Sequence, residues 1–338
     1  MMTKTEHRVL NISSSDIKVN NLIQSESVDL VVTSPPYPMI EMWDDCFKSQ
    51  NPNIQLYLDK GDTFKAFLEM HSVLNAIWDT VIRVLKPGGI LCINIGDATR
   101  SFGNNFQLFS NRTYIVDYFL RNGFSALPEI IWRKPTNAPN KFMGSGMLPS
   151  GAYVTLEHEY ILLFRKGGKR DFSMEKDKRR ESAYFYNERN LWFSDVWDVR
   201  GASQKGVSGS RFRNGSYPVE IPYRLINMFS IYDDVVFDPF NGLGTTQLAA
   251  LISGRNSIGC EVDTVLCDYT LKRLQAFKDY EKYIMQRLKE QKADVTLKKY
   301  FNSNLNINVK TKQEEGIKFR HINSIAQTGN IVVADYIV

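Results

Sequence analysis

Apolar positions along this chain follow two rhythms that alternate. Residues 28–33, VDLVVT, form a β-branched run of the kind that fills a buried strand. Residues 64–85 then carry apolar side chains at helical spacing, and Lys86-Pro87-Gly88-Gly89 is expected to stop that helix, because proline cannot continue it and glycine accepts the turn. ILCINIGD (90–97) reads as a second strand, TYIVDYFLRNG (113–123) as a helix with a glycine stop, and PEIIWRK (128–134) and HEYILLFRK (158–166) as further strands. Near the end come a strand, DVVFDPF (234–240), a helix over 245–253, a strand, NSIGCEVD (256–263), and helical character over 264–295. This alternation predicts an α/β fold, a Rossmann-like, doubly wound mixed sheet with helices on both faces.

The rhythm lapses over 135–157 and 167–216, which are rich in Gly, Ser, Asn and Pro and carry the charged run RKGGKRDFSMEKDKRRE. So long an interruption inside an α/β domain favours a recognition insert over a plain connection. The expected organisation is a catalytic half (1–134), an inserted region (135–216) that includes a core strand near 158–166, a cofactor half (217–290) and a C-terminal extension (291–338) with weak strand character. The formal charge of +5 permits a nucleic-acid partner without requiring one. No apolar stretch approaches the roughly eighteen residues of a membrane span, and the start, MMTKTEHRVLN, lacks a signal-peptide apolar block. Cytoplasmic location is the expectation. Cys46, Cys92, Cys260 and Cys267 form no CxxC pair and read as reduced, packed residues, and no Cys/His spacing suggests a metal.

Two stretches carry chemistry. In VVFDPFNGLGTTQLAALISGRNSIGCEVD a strand ends at Asp238, Gly242 and Gly244 let the backbone turn into a helix, and a second strand closes on Glu261, nineteen residues after Gly242. Backbone amides at such a turn can meet a ligand, and the later carboxylate can hold the two hydroxyls of a ribose. Gln247 stands where a dinucleotide fingerprint has its third glycine, and there is no Gly-Lys-Ser/Thr, so a nucleoside without a phosphate chain suits the turn best. A side chain at Gly244 is expected to fill the turn and block that ligand. The other stretch, TSPPY (33–37), ends a strand with a hydroxyl, two prolines that present carbonyls but no amide hydrogen, and an aromatic ring. Acceptors beside a ring suit a flat heterocycle bearing an exocyclic amino group. In a doubly wound sheet both stretches open onto one crevice at the carboxyl ends of the strands.

TSPPY with a later DPFNGLGTT resembles the amino-group DNA methyltransferases that use S-adenosylmethionine, and the order, catalytic motif before cofactor motif, is similar to their permuted beta group. LKPGGILCINIGD, IIWRKP, HEYILLFRK and YPVEIPYRLI (217–226) match the family's intervening segments in order, so the resemblance covers roughly 8–166 and 217–275. Serine at the second position of the motif is similar to cytosine-N4 enzymes, where adenine-N6 enzymes usually carry Asp or Asn.

The resemblance implies that Ser34, Pro35, Pro36 and Tyr37 are catalytic, with Ser34 and the Pro35 carbonyl accepting the amino hydrogens and Tyr37 stacking on a flipped base. It assigns Asp238, Phe240, Gly242, Gly244, Thr245 and Thr246 to the methionine and adenosine pocket, Glu261 to the ribose, and Pro218 to the pocket's completion. Asp16 stands in for the Gly-Asp that the family shows after its first strand. Asn94 and Asp97 end a central strand, Asp97 being either a crevice residue or a turn residue, and His158 either touches substrate or is structural. Double-stranded DNA is the implied partner, gripped at its phosphates by candidates Arg133, Lys134, Lys141, Lys169, Arg170, Lys178, Arg179, Arg180, Arg211 and Arg213. Enzymes of this kind commonly accompany a restriction endonuclease without binding it, as monomer or homodimer. The rival readings are an adenine-N6 methyltransferase, an RNA or protein methyltransferase, and a DNA-binding protein without catalysis.

Overall fold

The computed structural model describes residues 3–134, 143–144, 147–201, 217–294 and 298–337. Ten strands form its main sheet: β1 (Thr3–Asn11), β2 (Val28–Thr33), β3 (Leu85–Ile95), β4 (Phe124–Arg133), β5 (His158–Lys166), β6 (Val196–Asp198), β7 (Val235–Asp238), β8 (Asn256–Glu261), β9 (His321–Thr328) and β10 (Ile331–Ile337). Their spatial order is β6-β4-β5-β3-β2-β7-β8-β1-β10-β9. From β3 through β2, β7 and β8 to β1 the strands are parallel. β5 runs antiparallel to both its neighbours, β3 and β4. The mixed, doubly wound α/β sheet is the fold expected from the alternating pattern.

All six residues of β2 are buried, as expected of a largely apolar strand covered on both faces, with Asp29 inside it paired with Lys86. One face is covered by α1 (Thr63–Val84), whose Phe67, Met70, Leu74, Trp78 and Val81 recur at helical spacing, and by α2 (Asn111–Arg121). The other is covered by α3 (Glu220–Phe229) and α4 (Thr245–Ile252), the latter buried at all eight positions, with α5 (Thr264–Gln275) beside them.

Three features depart from the sequence pattern. The helix ends at Val84, just ahead of Lys86–Gly89 as expected, but β3 already begins at Leu85, and the four residues form an irregularity where pairing with β2 jumps from Val28↔Leu85 to Leu30↔Ile90. The segment 3–11, not singled out from sequence, is a sheet strand whose buried His7 bonds Ser257 of β8 and Thr5. The tail adds the hairpin β9–β10 to β1, with Tyr336 donating to the Leu251 carbonyl of α4. Beside it, Ile307, Val309, Ile317 and Phe319 pack on Phe185 and Ile284. No helix among the described residues is long and apolar enough to cross a membrane.

Candidate active site

β2 and β7 are adjacent and parallel, so the residues that end them meet. Thr33 Oγ1 donates to Asp238 Oδ1 at 2.6 Å, and Thr246 Oγ1, at the start of α4, donates to Asp238 Oδ2 at 2.7 Å. Phe240 N is the third donor, at 3.0 Å. Asp238 is buried, and that burial raises its carboxyl to about 6, the hydrogen bonds from Thr246, Thr33 and Phe240 opposing the rise. Tyr217 reaches Thr246 Oγ1 at 2.5 Å, which fixes the start of the segment carrying Pro218 against the same cluster. Thr33, Asp238 and Thr246 thus form a buried clasp between the two motifs.

The glycine turn follows directly. Gly242 has φ +48°, and a Cβ there would find only the Phe240 carbonyl, 3.9 Å away, so open space lies over this residue. Its amide donates to Glu261 Oε2 at 2.8 Å, while Asp263 N donates to Oε1 at 2.9 Å. Burial raises the Glu261 carboxyl, and these amides oppose that shift. The Val262 amide is a third backbone donor to this carboxylate, and with about four lone-pair sites on the two oxygens, capacity for a hydroxyl remains. The Glu261 carboxylate beside the open face of Gly242 fits the ribose of a nucleoside cofactor. Gly244 behaves otherwise. At φ +68° its Cβ would lie 2.4 Å from Thr270 Cγ2 of α5, so a side chain here would collide with that helix. Arg273 of α5 braces the turn through the Leu243 carbonyl (2.8 Å) and Thr245 Oγ1 (2.9 Å). Phe240 packs edge-on to Trp78 at 5.5 Å. Asp16 follows β1, and its Oδ1 accepts the Lys18 amide at 2.8 Å; Ser14 of the same loop donates to the Pro239 carbonyl at 2.9 Å and so borders the turn.

On the TSPPY side the half-buried Tyr37 is held by groups from two further strands. Its hydroxyl donates to Glu159 Oε2 of β5 (2.8 Å), accepts from Asn94 Nδ2 of β3 (2.8 Å) and lies 3.2 Å from Ser34 Oγ. Asn94 Nδ2 also reaches Glu159 Oε2 at 2.7 Å, while the buried Asn94 Oδ1 has no partner among the described residues. Burial and then the Glu159 carboxylate push the Tyr37 hydroxyl well above its ordinary value. Gly96 packs closely here: a Cβ would lie 3.1 Å from Tyr37 Cε2 and 3.3 Å from Glu159 Cγ, so both side chains would have to give way. Lys134 forms an ion pair with Glu159 and sits 4.5 Å from the Trp132 ring.

Glu159 was not singled out in the sequence; its neighbour His158 was. His158 packs edge-on against Tyr160, leaving Glu159 on the opposite face of β5, toward Tyr37. Asp97 takes the turn role, accepting from Arg112 N and Ser110 Oγ ahead of α2. Among the basic candidates, Arg133 and Lys134 end β4 on the active-site side, Arg133 paired with Asp198. Arg170, Lys169, Arg179 and Arg180 instead line a cavity at the opposite strand ends. Arg170 is not a free phosphate ligand but is tied to Asp234 and Glu175, and Lys178 pairs with Asp233. Lys141, Arg211 and Arg213 lie outside the described residues.

This fold and this pair of loops define a class: an α/β protein with the class I fold of S-adenosylmethionine-dependent DNA methyltransferases. Residues 28–273 match the N6_N4 family of DNA methylases, and the chain belongs to that family, whose cofactor is S-adenosylmethionine. It is 48% identical over 323 residues to the type II methyltransferase M.MthZI of Methanothermobacter thermautotrophicus, covering 93% of this chain and 90% of that protein. It is also 48% identical over 273 residues to the type II methyltransferase M.MjaI of Methanocaldococcus jannaschii, covering 78% and 89%. Among solved structures, TTHA0409 of Thermus thermophilus, provisionally described as a DNA modification methylase and complexed with S-adenosylmethionine, superposes with a TM-score of 0.60 at 29% identity, covering 80% of this chain and 95% of that one.

Proposed function

We propose that this DNA methyltransferase transfers the methyl group to the exocyclic N4 of a cytosine flipped out of duplex DNA. In this reading it is a beta-group modification enzyme with a target-recognition region between its two halves and a companion restriction endonuclease. The carrying observation is the Thr33–Asp238 hydrogen bond, which joins the residue before Ser34 to the residue that opens the cofactor turn. The type II methyltransferase names of the relatives support the modification role, and Ser34 in place of Asp or Asn supports cytosine over adenine.

When bound, the cofactor supplies an electrophilic sulfonium methyl. The chain's part is positioning and charge placement. An exocyclic amino nitrogen is a poor nucleophile because its lone pair is delocalised into the ring. Ser34 Oγ and the Pro35 carbonyl would accept the two amino hydrogens and turn that lone pair outward. Tyr37, fixed through its hydroxyl by Asn94 and Glu159, would offer its ring to the base. Glu261 would hold the ribose, and Gly242 would leave the space beside it.

Labelled cofactor incubated with duplex DNA, followed by digestion to nucleosides, tests the assignment. Label in N4-methyldeoxycytidine is expected. Label in N6-methyldeoxyadenosine alone replaces the base, and transfer to RNA or protein with none to DNA rejects the reading.

A further inference from the structure

A cavity of about 1060 Å³ opens at the far end of the strands from the active site. Strand by strand the two places are opposite: β2 gives Asp29 to the cavity and Thr33 to the site, β3 gives Ile90 and Asn94, and β5 gives Arg165 and Glu159. At about 3.3 Å per residue, roughly 13–20 Å of sheet separates the members of each pair. Its walls come from Asp29, Gly88 and Ile90 of the sheet's strand ends, the insert, Asn227–Ile231 at and after the end of α3, and Thr311 and Gln313 of the tail. Arg165, Lys169, Lys176, Arg179, Arg180 and Arg189 line it, and among the described residues none of these six is paired with a carboxylate. Two carboxylates, Asp29 and Asp171, also line the cavity, and Asp234 and Glu175 lie close to it through Arg170. Asp29 pairs with Lys86, Asp234 and Glu175 with Arg170, and Asp171 accepts from Ser173. Arg179 rests on the Phe172 ring at 4.3 Å, both being lining residues. Six cations without a carboxylate partner, against one lining carboxylate without a cationic partner, Asp171, leave the concavity net positive among the described residues, and such a surface attracts a polyanion.

We propose that this groove is a second DNA-contact surface, which takes the sugar-phosphate backbone of a duplex segment other than the one entering the active site. The choice of DNA as the polyanion rests on the methyltransferase reading; the groove itself does not. A duplex lying over the carboxyl ends of the strands cannot also lie in a groove at their amino ends, so two segments are held at once. Exposed lysine and arginine heads suit phosphates without base readout. The consequence is that the enzyme is retained on long DNA between methylations.

The test compares the full chain with a Lys176→Glu/Arg179→Glu/Arg180→Glu variant, using a short random-sequence duplex at low salt. Sedimentation should find two duplexes per wild-type chain and one per variant chain, and the variant's log affinity should fall less steeply with log salt, by about 0.9 for each phosphate contact removed. Cofactor affinity measured by calorimetry should be equal in both, which reports an intact fold. A single duplex per wild-type chain, or identical salt slopes in the two proteins, overturns the proposal. Labelled methyl transfer by the wild type is scored separately: if DNA is methylated but only one duplex binds, the groove inference fails alone. If two duplexes bind and no DNA is methylated, the groove stands and the functional reading falls.

Discussion

Thr33 and Asp238 are 205 residues apart in the chain and 2.6 Å apart at their side-chain oxygens. Because each is the last residue of its strand, this bond sets the relative position of the two loops that follow. Thr33→Val keeps the shape and removes the donor. A hydrogen bond to a charged acceptor contributes about 1.5–3 kcal/mol, so methyl transfer should fall about tenfold or more, with cofactor affinity weakened as well. Steady-state kinetics and calorimetry on the variant check this; unchanged values in both would mean that the bond positions neither loop.

Asp238 makes the site pH-dependent in a definite direction. Its three donors call for the ionised carboxylate, and burial holds its carboxyl near 6. Cofactor affinity should therefore fall as pH drops through about 6. Its contribution to stability has the opposite sign: a carboxyl that binds its proton more tightly in the folded chain than in the unfolded one makes the fold less stable as pH rises from about 4 to about 6. Calorimetric titration across this window should show the step in affinity, and Asp238→Asn should abolish the step while leaving affinity weak. A flat profile in the wild type would separate Asp238 from the cofactor site.

The two glycines of the turn should respond differently to substitution. Gly242→Ala places a methyl in open space at a positive φ, costing about 1–2 kcal/mol of stability, but cofactor affinity should drop about tenfold or more if the proposed cofactor site occupies that space. Gly244→Val drives a side chain into Thr270, so its main effect is a loss of about 2–4 kcal/mol in stability. Thermal unfolding and cofactor binding, measured together, distinguish the two; a stable Gly244→Val protein with no cofactor affinity would restore a direct ligand role to Gly244.

Glu159 and Asn94 orient the Tyr37 ring, so the size of the defect should follow the hydrogen bond and not the charge. Glu159→Gln retains a group that can bond the Tyr37 hydroxyl and should cost only a few-fold in kcat, whereas Glu159→Ala should cost about tenfold or more. Both should leave the KM for the cofactor unchanged, since Glu159 lies on the TSPPY side of the clasp. An equal loss in the two variants would point to the carboxylate's charge instead.

Much of this was legible in the chain because it is local. Proline and glycine announce their backbone effects in place, so TSPPY and DPFNGLGTT stand out, and the β-branched, mostly apolar β2 marks a buried strand. What was not legible depends on pairing between distant segments. Glu159 gains its meaning only when β5 is laid antiparallel beside β3, with Ile95 opposite Tyr160. A strand's side chains alternate, so choosing between His158 and Glu159 requires the face, which the sequence around them does not reveal. The β1 pattern was masked by polar residues such as Thr5 and His7, buried because they bond one another and their neighbours. Lys86–Gly89 has the composition of a helix stop, yet the sheet absorbs it as an irregularity.

The central claim is that Ser34 directs methyl transfer to a cytosine amino group at a site completed by the glycine turn. The most direct measurement is to map modified bases in the DNA of cells expressing the wild-type chain and, in parallel, Ser34→Ala. N4-methylcytosine at one recurring short sequence in the first culture, and its loss in the second, is the predicted result. N6-methyladenine in place of N4-methylcytosine, or equal marks in both cultures, would contradict it.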